Sequence, residues 1–381
     1  MIYFDNAATT YKKPSEVYRA IYENMINYGA NAGRGGHSLS LKAGEIINET
    51  RMILCDFFGI ENPERLAFFQ NATYALNTGI KGVLRRGDHV VTTSMEHNAV
   101  LRPIAELAKQ GLIEYTQVQA NEKGEISKSD IEKALRYKTK LIVMTHASNV
   151  CGNIYDIKEI GALAKERGII FLVDAAQSAG LLELNATFAD MFAFSGHKGL
   201  MGAQGTGCLY VRDGLDVKTL IQGGTGSMSE SLYHPDIMPD KFECGTQNMP
   251  AISALSEGVK FVQKIGKKEL LEHEQNLSEY FVNEVQNISG TIVYGTQSSK
   301  ERTGVVSINI KNFDANIIAD RLSADYGICV RSGLHCAPSA HKTLNTIDRG
   351  TLRFSFGLYN TKQEIDRAVF ALNKIATSLS E

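Results

Sequence analysis

Two residues in this sequence have the type and setting to do covalent chemistry. Lys198 lies in Phe194-Ser195-Gly196-His197-Lys198-Gly199, just past an apolar run, and its flanking glycines let backbone approach a ligand closely. A lysine placed there can reach a site dry enough to lower its pKa, which is what an amine needs to form a Schiff base. Asp174 closes the run GIIFLVD, one expected strand earlier. A carboxylate at the mouth of a buried strand needs a cationic or hydrogen-bonding partner to offset its desolvation. A protonated pyridine nitrogen would serve, because Asp keeps it charged and the ring then draws electrons from a substrate carbon. Each residue also has a bland reading: most lysines are solvated, and Asp174 could simply cap a helix.

Further candidates surround this pair. Asn71-Ala72-Thr73 precedes a helical stretch, so free N–H groups, the helix dipole and the Thr73 hydroxyl could hold a phosphate, unless the stretch is only a cap. His97 could be a ring-stacking group or a plain loop histidine. In Thr351–Phe356, Leu352, Phe354 and Phe356 alternate with Arg353 and Ser355, which sets Arg353 on the opposite face of a strand. A guanidinium on a rigid strand suits a bidentate grip on a carboxylate; a surface salt bridge is the alternative. Cys336 sits in a Gly/Pro loop with Arg331, His335 and His341 nearby, a setting that favours thiolate. It is the best nucleophile candidate among six scattered cysteines.

The elements that must position these groups are legible as alternation. Residues 15–255 alternate short apolar runs with helical patterns, the mark of a mostly parallel sheet with helices on both faces. Expected strands are Leu66–Phe69, His89–Thr93, Leu141–Thr145, Ile169–Val173, Met191–Phe194 and Cys208–Val211, with helical spacing in Val100–Gln110 and Ile157–Arg167. Four consecutive runs lead at once into polar clusters: Asn71-Ala72-Thr73, Glu96-His97-Asn98, Ser148-Asn149, and Asp174 with Gln177. In a parallel sheet those clusters share the carboxyl edge, where open α/β sheets bind ligands. Beyond a Gly-rich stretch at 223–226, one long helical region is expected over 251–288, then strand Val305–Ile310, a helix near 314–326, the run Ile328–Val330, strand Thr351–Phe356 and a closing helix from Lys362. The domain change is placed near residue 260.

Composition narrows the class. The chain has 381 residues, 43% hydrophobic and 22% charged, with a formal net charge of −2, which is ordinary for a globular protein and gives no sign of a polyanionic partner such as nucleic acid. The start MIYFDNAATT does not read as a signal peptide, and no apolar run approaches the roughly 20 residues that span a bilayer. Cysteines without C-x-x-C pairs favour reduced thiols in a cytoplasmic setting and argue against structural zinc.

Taken as an ordered series, YFDNAATT from Tyr3, SMEHNA, VDAAQS, SGHKG, FECGTQN, RSGLHCAP and FSFGLYNT ending at Thr361 resemble the class V aminotransferase-like enzymes of fold type I, which use pyridoxal 5′-phosphate (PLP). The nearest branch is the cysteine desulfurase and selenocysteine lyase group. The resemblance implies an α/β fold: residues 1–14 as a segment packing with the small domain, 15–260 as a large PLP-binding domain with a mostly parallel central sheet, and 261–381 as a smaller α+β domain carrying the Cys336 loop. It implies that Lys198 carries PLP as a Schiff base and moves protons, that His97 stacks on the ring, and that Asp174 pairs with its nitrogen. Asn149 and Gln177 would meet the phenolic oxygen; Ala72, Thr73, Ser195 and His197 would bind phosphate, with Thr246 supplied by the other subunit of a homodimer. Arg353, with Arg331, Ala8 and His37, would hold the substrate. Cys336 would attack the sulfur of bound L-cysteine, leaving alanine and a persulfide for a protein acceptor, as in iron–sulfur cluster assembly. Leu334, where relatives often have histidine, and the Gln70-Asn71-Ala72 and Cys151 departures leave substrate choice open between cysteine, selenocysteine and transamination or another lyase reaction on a small amino acid.

Overall fold

The computed structural model describes residues 1–32, 35–311 and 313–380. Strand β1 (Ile2–Tyr3) opens the chain, followed by helices α1 (Ser15–Asn27) and α2 (Ser38–Phe58). Next come β2 (Leu66–Phe69), α3 (Ala72–Val83), β3 (His89–Thr93), α4 (Asn98–Lys109), β4 (Glu114–Val118), α5 (Lys128–Ala134), β5 (Thr139–Thr145), α6 (Ile157–Glu166), β6 (Ile170–Asp174), β7 (Met191–Ser195) and β8 (Gly207–Val211). Among the described residues these strands form a seven-stranded sheet in the order β2-β8-β7-β6-β5-β3-β4. Only β8 runs against its neighbours, β7 and β2. Two reversals restore direction, so β2 points the same way as β3 through β7, and its carboxyl end reaches the shared edge.

The central strands are buried on both faces, which is why β6 (IFLVD) and β7 (MFAFS) read as continuous apolar runs rather than alternating ones. Edge strand β4 (EYTQV) faces solvent over most of its length, and its polar composition hides it from a search for apolar runs.

The expected single helix over 251–288 is instead two, α7 (Met249–Ile265) and α8 (Lys267–Val285). Gly266, at φ 102°, ends the first and opens the second; a side chain there would be strained. The remaining elements are β9 (Thr291–Tyr294), β10 (Val305–Ile310), α9 (Ala315–Tyr326), β11 (Ile328–Cys329), β12 (Arg331–Gly333), α10 (Pro338–Thr343), β13 (Thr351–Ser355) and α11 (Lys362–Ser380). Among the described residues, an antiparallel four-stranded sheet in the order β12-β13-β10-β9 carries a second core, with Phe281, Phe354 and Phe356 at its centre. The chain start joins that core. β1 pairs in parallel with β11, and Phe4 lies 5.2 Å from the Phe356 ring. Among the described residues no helix is long and apolar enough to cross a membrane.

Candidate active site

The polar clusters that follow β2, β3, β5, β6 and β7 converge, together with the chain start and the loops around β12 and β13, on a cavity of about 240 Å³. Its lining includes Ala8, Ala72, Thr73, His97, Asn149, Asp174, Gln177, Ser195, His197, Lys198, Arg331, Cys336 and Arg353. Most residues singled out from sequence are therefore neighbours in space. Two are not. His37 is exposed at the start of α2, its Nδ1 accepting the Ser40 N–H at 3.3 Å, and Thr246 lines an adjoining surface cavity with Thr73 and Tyr74. Neither lines the pocket.

Lys198 and Asp174 face the same space under opposite pressures. As a whole residue Lys198 is half-buried, yet burial of its amine pushes the pKa down to about 8 despite the opposing pull of Asp174. An appreciable fraction of the amine is then neutral near physiological pH and able to attack a carbonyl carbon. Asp174 is 3% exposed; burial raises its pKa, while the Ala176 N–H, donating to Oδ1 at 2.9 Å, and Lys198 pull it back. The helix-cap alternative is thus partly realised, as a turn after the strand. His97 caps α4 by accepting the Ala99 N–H on Nδ1 at 3.0 Å; burial, then Lys198, push it to about 4, so its ring is neutral.

Other residues of the lining are suited to receive an anion. Asn71 caps α3 by accepting the Tyr74 N–H at 3.1 Å, leaving the first-turn N–H groups beside the Thr73 hydroxyl. Backbone passes so close behind this turn that a Cβ at Gly207 would lie 2.4 Å from Asn71 C and 2.8 Å from Ala72 N. His197, held neutral at about 4 by burial and Lys198, engages Thr9 Oγ1 through Nδ1 at 3.0 Å, which leaves Nε2 for the cavity. A carboxylate seeking a cation and an N–H, hydroxyl and imidazole cluster in one cavity suit the pyridinium and phosphate of PLP.

Arg353 is 1% exposed, which excludes the surface salt-bridge alternative. Its Nη1 donates to Asn149 O at 2.9 Å and its Nη2 to Asp5 Oδ1 at 2.6 Å, while Nε is buried without a partner among the described residues. The guanidinium borders the cavity with its charge only partly offset by Asp5, which suits it to a carboxylate. Asp5, 348 positions away in sequence, was not anticipated; nothing local in YFDNAATT announces that pairing.

Cys336 is exposed, with Arg331 Nη2 3.9 Å from its Sγ. His335 and His341 do not add charge, contrary to expectation. Burial drives them down to about 2 and about 4, so both are neutral at pH 7. They brace the loop instead, through Thr351 and Thr346 hydroxyls at 3.0 and 2.7 Å. His335 and Cys336 are consecutive non-glycine residues in the left-handed region, at φ 48° and 57°. The strain is held by Asn149 Nδ2 donating to His335 O at 2.7 Å and the Asn98 N–H donating to Cys336 O at 2.8 Å. Sequence reasoning named Glu96 only as a member of the polar cluster after β3; its fully buried carboxyl accepts from the Thr93 hydroxyl at 2.6 Å and the Thr145 N–H at 3.1 Å. Burial raises it to about 8, and it ties the ends of β3 and β5 together.

The chain is similar over nearly its whole length to known proteins. The family model described as Aminotransferase class-V matches residues 2–368. A probable cysteine desulfurase of Methanothermobacter thermautotrophicus is 37% identical over 98% of this chain and 94% of its own length. A probable cysteine desulfurase of Pyrococcus abyssi is 36% identical over 100% of this chain and 95% of its own. Among solved structures, an apo cysteine desulfurase from Thermococcus onnurineus superposes with a TM-score of 0.93 at 34% identity, covering 99% of this chain and 95% of that one.

Proposed function

The chain belongs to the class-V aminotransferase family, and on that premise we propose that it is a PLP-dependent cysteine desulfurase that converts L-cysteine to L-alanine and retains the sulfur as a persulfide on Cys336. The observation that carries the reading is that the Cys336 thiol, the Lys198 amine and the Arg353 guanidinium line one cavity with Asp174. PLP would be held by Lys198, with Asp174 at the ring nitrogen, His97 on the ring face, Asn149 and Gln177 near the phenolic oxygen, and Ala72, Thr73, Ser195 and His197 at the phosphate. Thr246 of a second subunit would complete the phosphate site in a homodimer. When bound, PLP supplies an electron sink for charge developing on the substrate carbon.

The chain's own groups divide the remaining work. Arg353 and Arg331 orient the substrate carboxylate, with Ala8 lining the same space. Lys198 Nζ moves the proton at the substrate Cα, a role typically worth about 10²–10⁴-fold. Cys336 Sγ attacks the substrate sulfur; an S–S bond forms as the C–S bond breaks, its electron pair stays on carbon, and that carbon is then protonated. Cysteine plus thiol thus balances to alanine plus persulfide. His37, exposed within one subunit, would act only if a second subunit brought it near.

The test is to incubate purified protein with L-cysteine, alongside selenocysteine and cysteine sulfinate, and measure sulfide, alanine and protein-bound persulfide. Cys336→Ala should lose persulfide and sulfide formation while borohydride still traps PLP at position 198. Sulfide release by Cys336→Ala at the parent rate would refute the assignment of Cys336, and a keto-acid-dependent half reaction would point to transamination.

A further inference from the structure

We propose that Lys13 is a positioning residue for Lys198: its ammonium clamps the carbonyl of His197 and so fixes the peptide from which the Lys198 side chain springs. The inference rests on the reading of Lys198 as the amine that carries the cofactor. Lys13 lies just before α1, in the segment that crosses from the second core to the pocket. Its Nζ donates to His197 O at 2.6 Å and also contacts Thr10 Oγ1. The same carbonyl is approached by Thr9 Oγ1 at 3.2 Å, Thr10 Oγ1 at 3.2 Å and the Thr10 N–H at 3.3 Å, and Thr10 Oγ1 lies 3.1 Å from Lys198 O. A carbonyl oxygen has two lone pairs, so this crowd of donors over-determines where it sits. The charged donor makes the shortest of these contacts, as a charge-assisted bond should.

The need for a clamp follows from the glycines. A Cβ at Gly196 would lie 2.3 Å from Thr206 Oγ1, and one at Gly199 would lie 2.4 Å from Ala179 O, so close packing demands glycine at both places. β7 ends at Ser195, which leaves His197 and Lys198 outside the strand ladder, on a backbone that glycine makes conformationally free. Turn hydrogen bonds from the Gly202 N–H to Gly196 O and from the Met201 N–H to Lys198 O, both at 2.9 Å, close the backbone on either side, and the Lys13 ammonium holds the His197 carbonyl between them. Lys13 has no carboxylate partner among the described residues, an unusual use of a half-buried cation. Burial lowers its pKa to about 8, and its charge helps to keep the His197 ring neutral.

The experiment uses full-length protein freed of PLP, as Lys13→Met, Lys13→Arg and the unsubstituted chain. Schiff-base formation is followed by absorbance after adding PLP or, separately, pyridoxal, and the adduct is trapped with borohydride and mapped. Lys13→Met should form the Lys198 adduct about tenfold or more slowly with both aldehydes, and Lys13→Arg should recover to within about threefold, because it keeps a cationic donor. The three urea midpoints should agree. Should Lys13→Met fail to fold, Lys13→Ala, which also lacks a donor, carries the same comparison. A parent rate in Lys13→Met, a defect that Lys13→Arg does not recover, or a defect confined to PLP would overturn the proposal. Absence of an adduct at Lys198 in the unsubstituted protein would instead overturn the reading on which it rests.

Discussion

Replacing Asp5 with Asn removes one charge from the pair it makes with Arg353 and leaves the shape almost unchanged. The side chains are 21% and 2% exposed and meet at 2.6 Å, so the guanidinium depends on Asp5 for its compensation. Unit charges about 4 Å apart at an effective dielectric of about 20 attract by about 4 kcal/mol. Asn still accepts the Nη2 hydrogen bond, and water reaches part of Asp5, so the net loss should be about 2–3 kcal/mol. With a urea slope of about 3 kcal/mol/M, the midpoint falls by about 0.7–1 M. Saturating L-alanine should narrow that gap, because its carboxylate meets a guanidinium no longer neutralised by Asp5, and a ligand that binds only the folded state stabilises it. An Asp5→Asn protein with the parent midpoint, or a gap that L-alanine widens, would refute the idea that Asp5 compensates Arg353 in the substrate site.

Two further outcomes follow, one from titratable groups that burial shifts, among them His146 just past β5 and Glu274 on α8, and one from the glycine behind the α3 turn. In protein freed of cofactor, His97, His146, His197, His335 and His341 are all pushed to about 4 or below. Their folded pKa values lie below the ordinary 6.5, so the unfolded state binds more protons between those values and stability falls as pH drops below about 6.5. Glu96 and Glu274, raised to about 8, work the other way: they stabilise below the ordinary carboxyl range and lose that contribution as pH rises through 8. The two sets place the stability maximum near pH 6.5, which urea midpoints from pH 4.5 to 8 would check; a midpoint still rising through pH 8 would contradict it. Gly207→Ala should weaken PLP binding by about tenfold or more, measured by equilibrium titration, because the added methyl drives into the Asn71–Ala72 turn.

Local pattern determined much of this protein. Apolar runs of strand length, each followed at once by a polar cluster, locate β2, β3, β5 and β6 and the residues at their ends, because strand burial and loop polarity are encoded within a few neighbouring positions. Lys198 and Asp174 were legible for that reason, and the ordered series of short motifs carried the family. Tertiary structure decided whatever depends on which distant segments meet. The reversed direction of β8, the edge strand β4 and the break at Gly266 turn on sheet order and backbone conformation rather than on apolar pattern. Asp5 finds Arg353 across 348 positions, and Lys13 finds His197 across 184. The neutrality of His335 and His341 follows from depth of burial, which no spacing records. Sequence names the groups able to do chemistry, but desolvation and long-range contact, set only when the chain closes on itself, fix their charge and their aim.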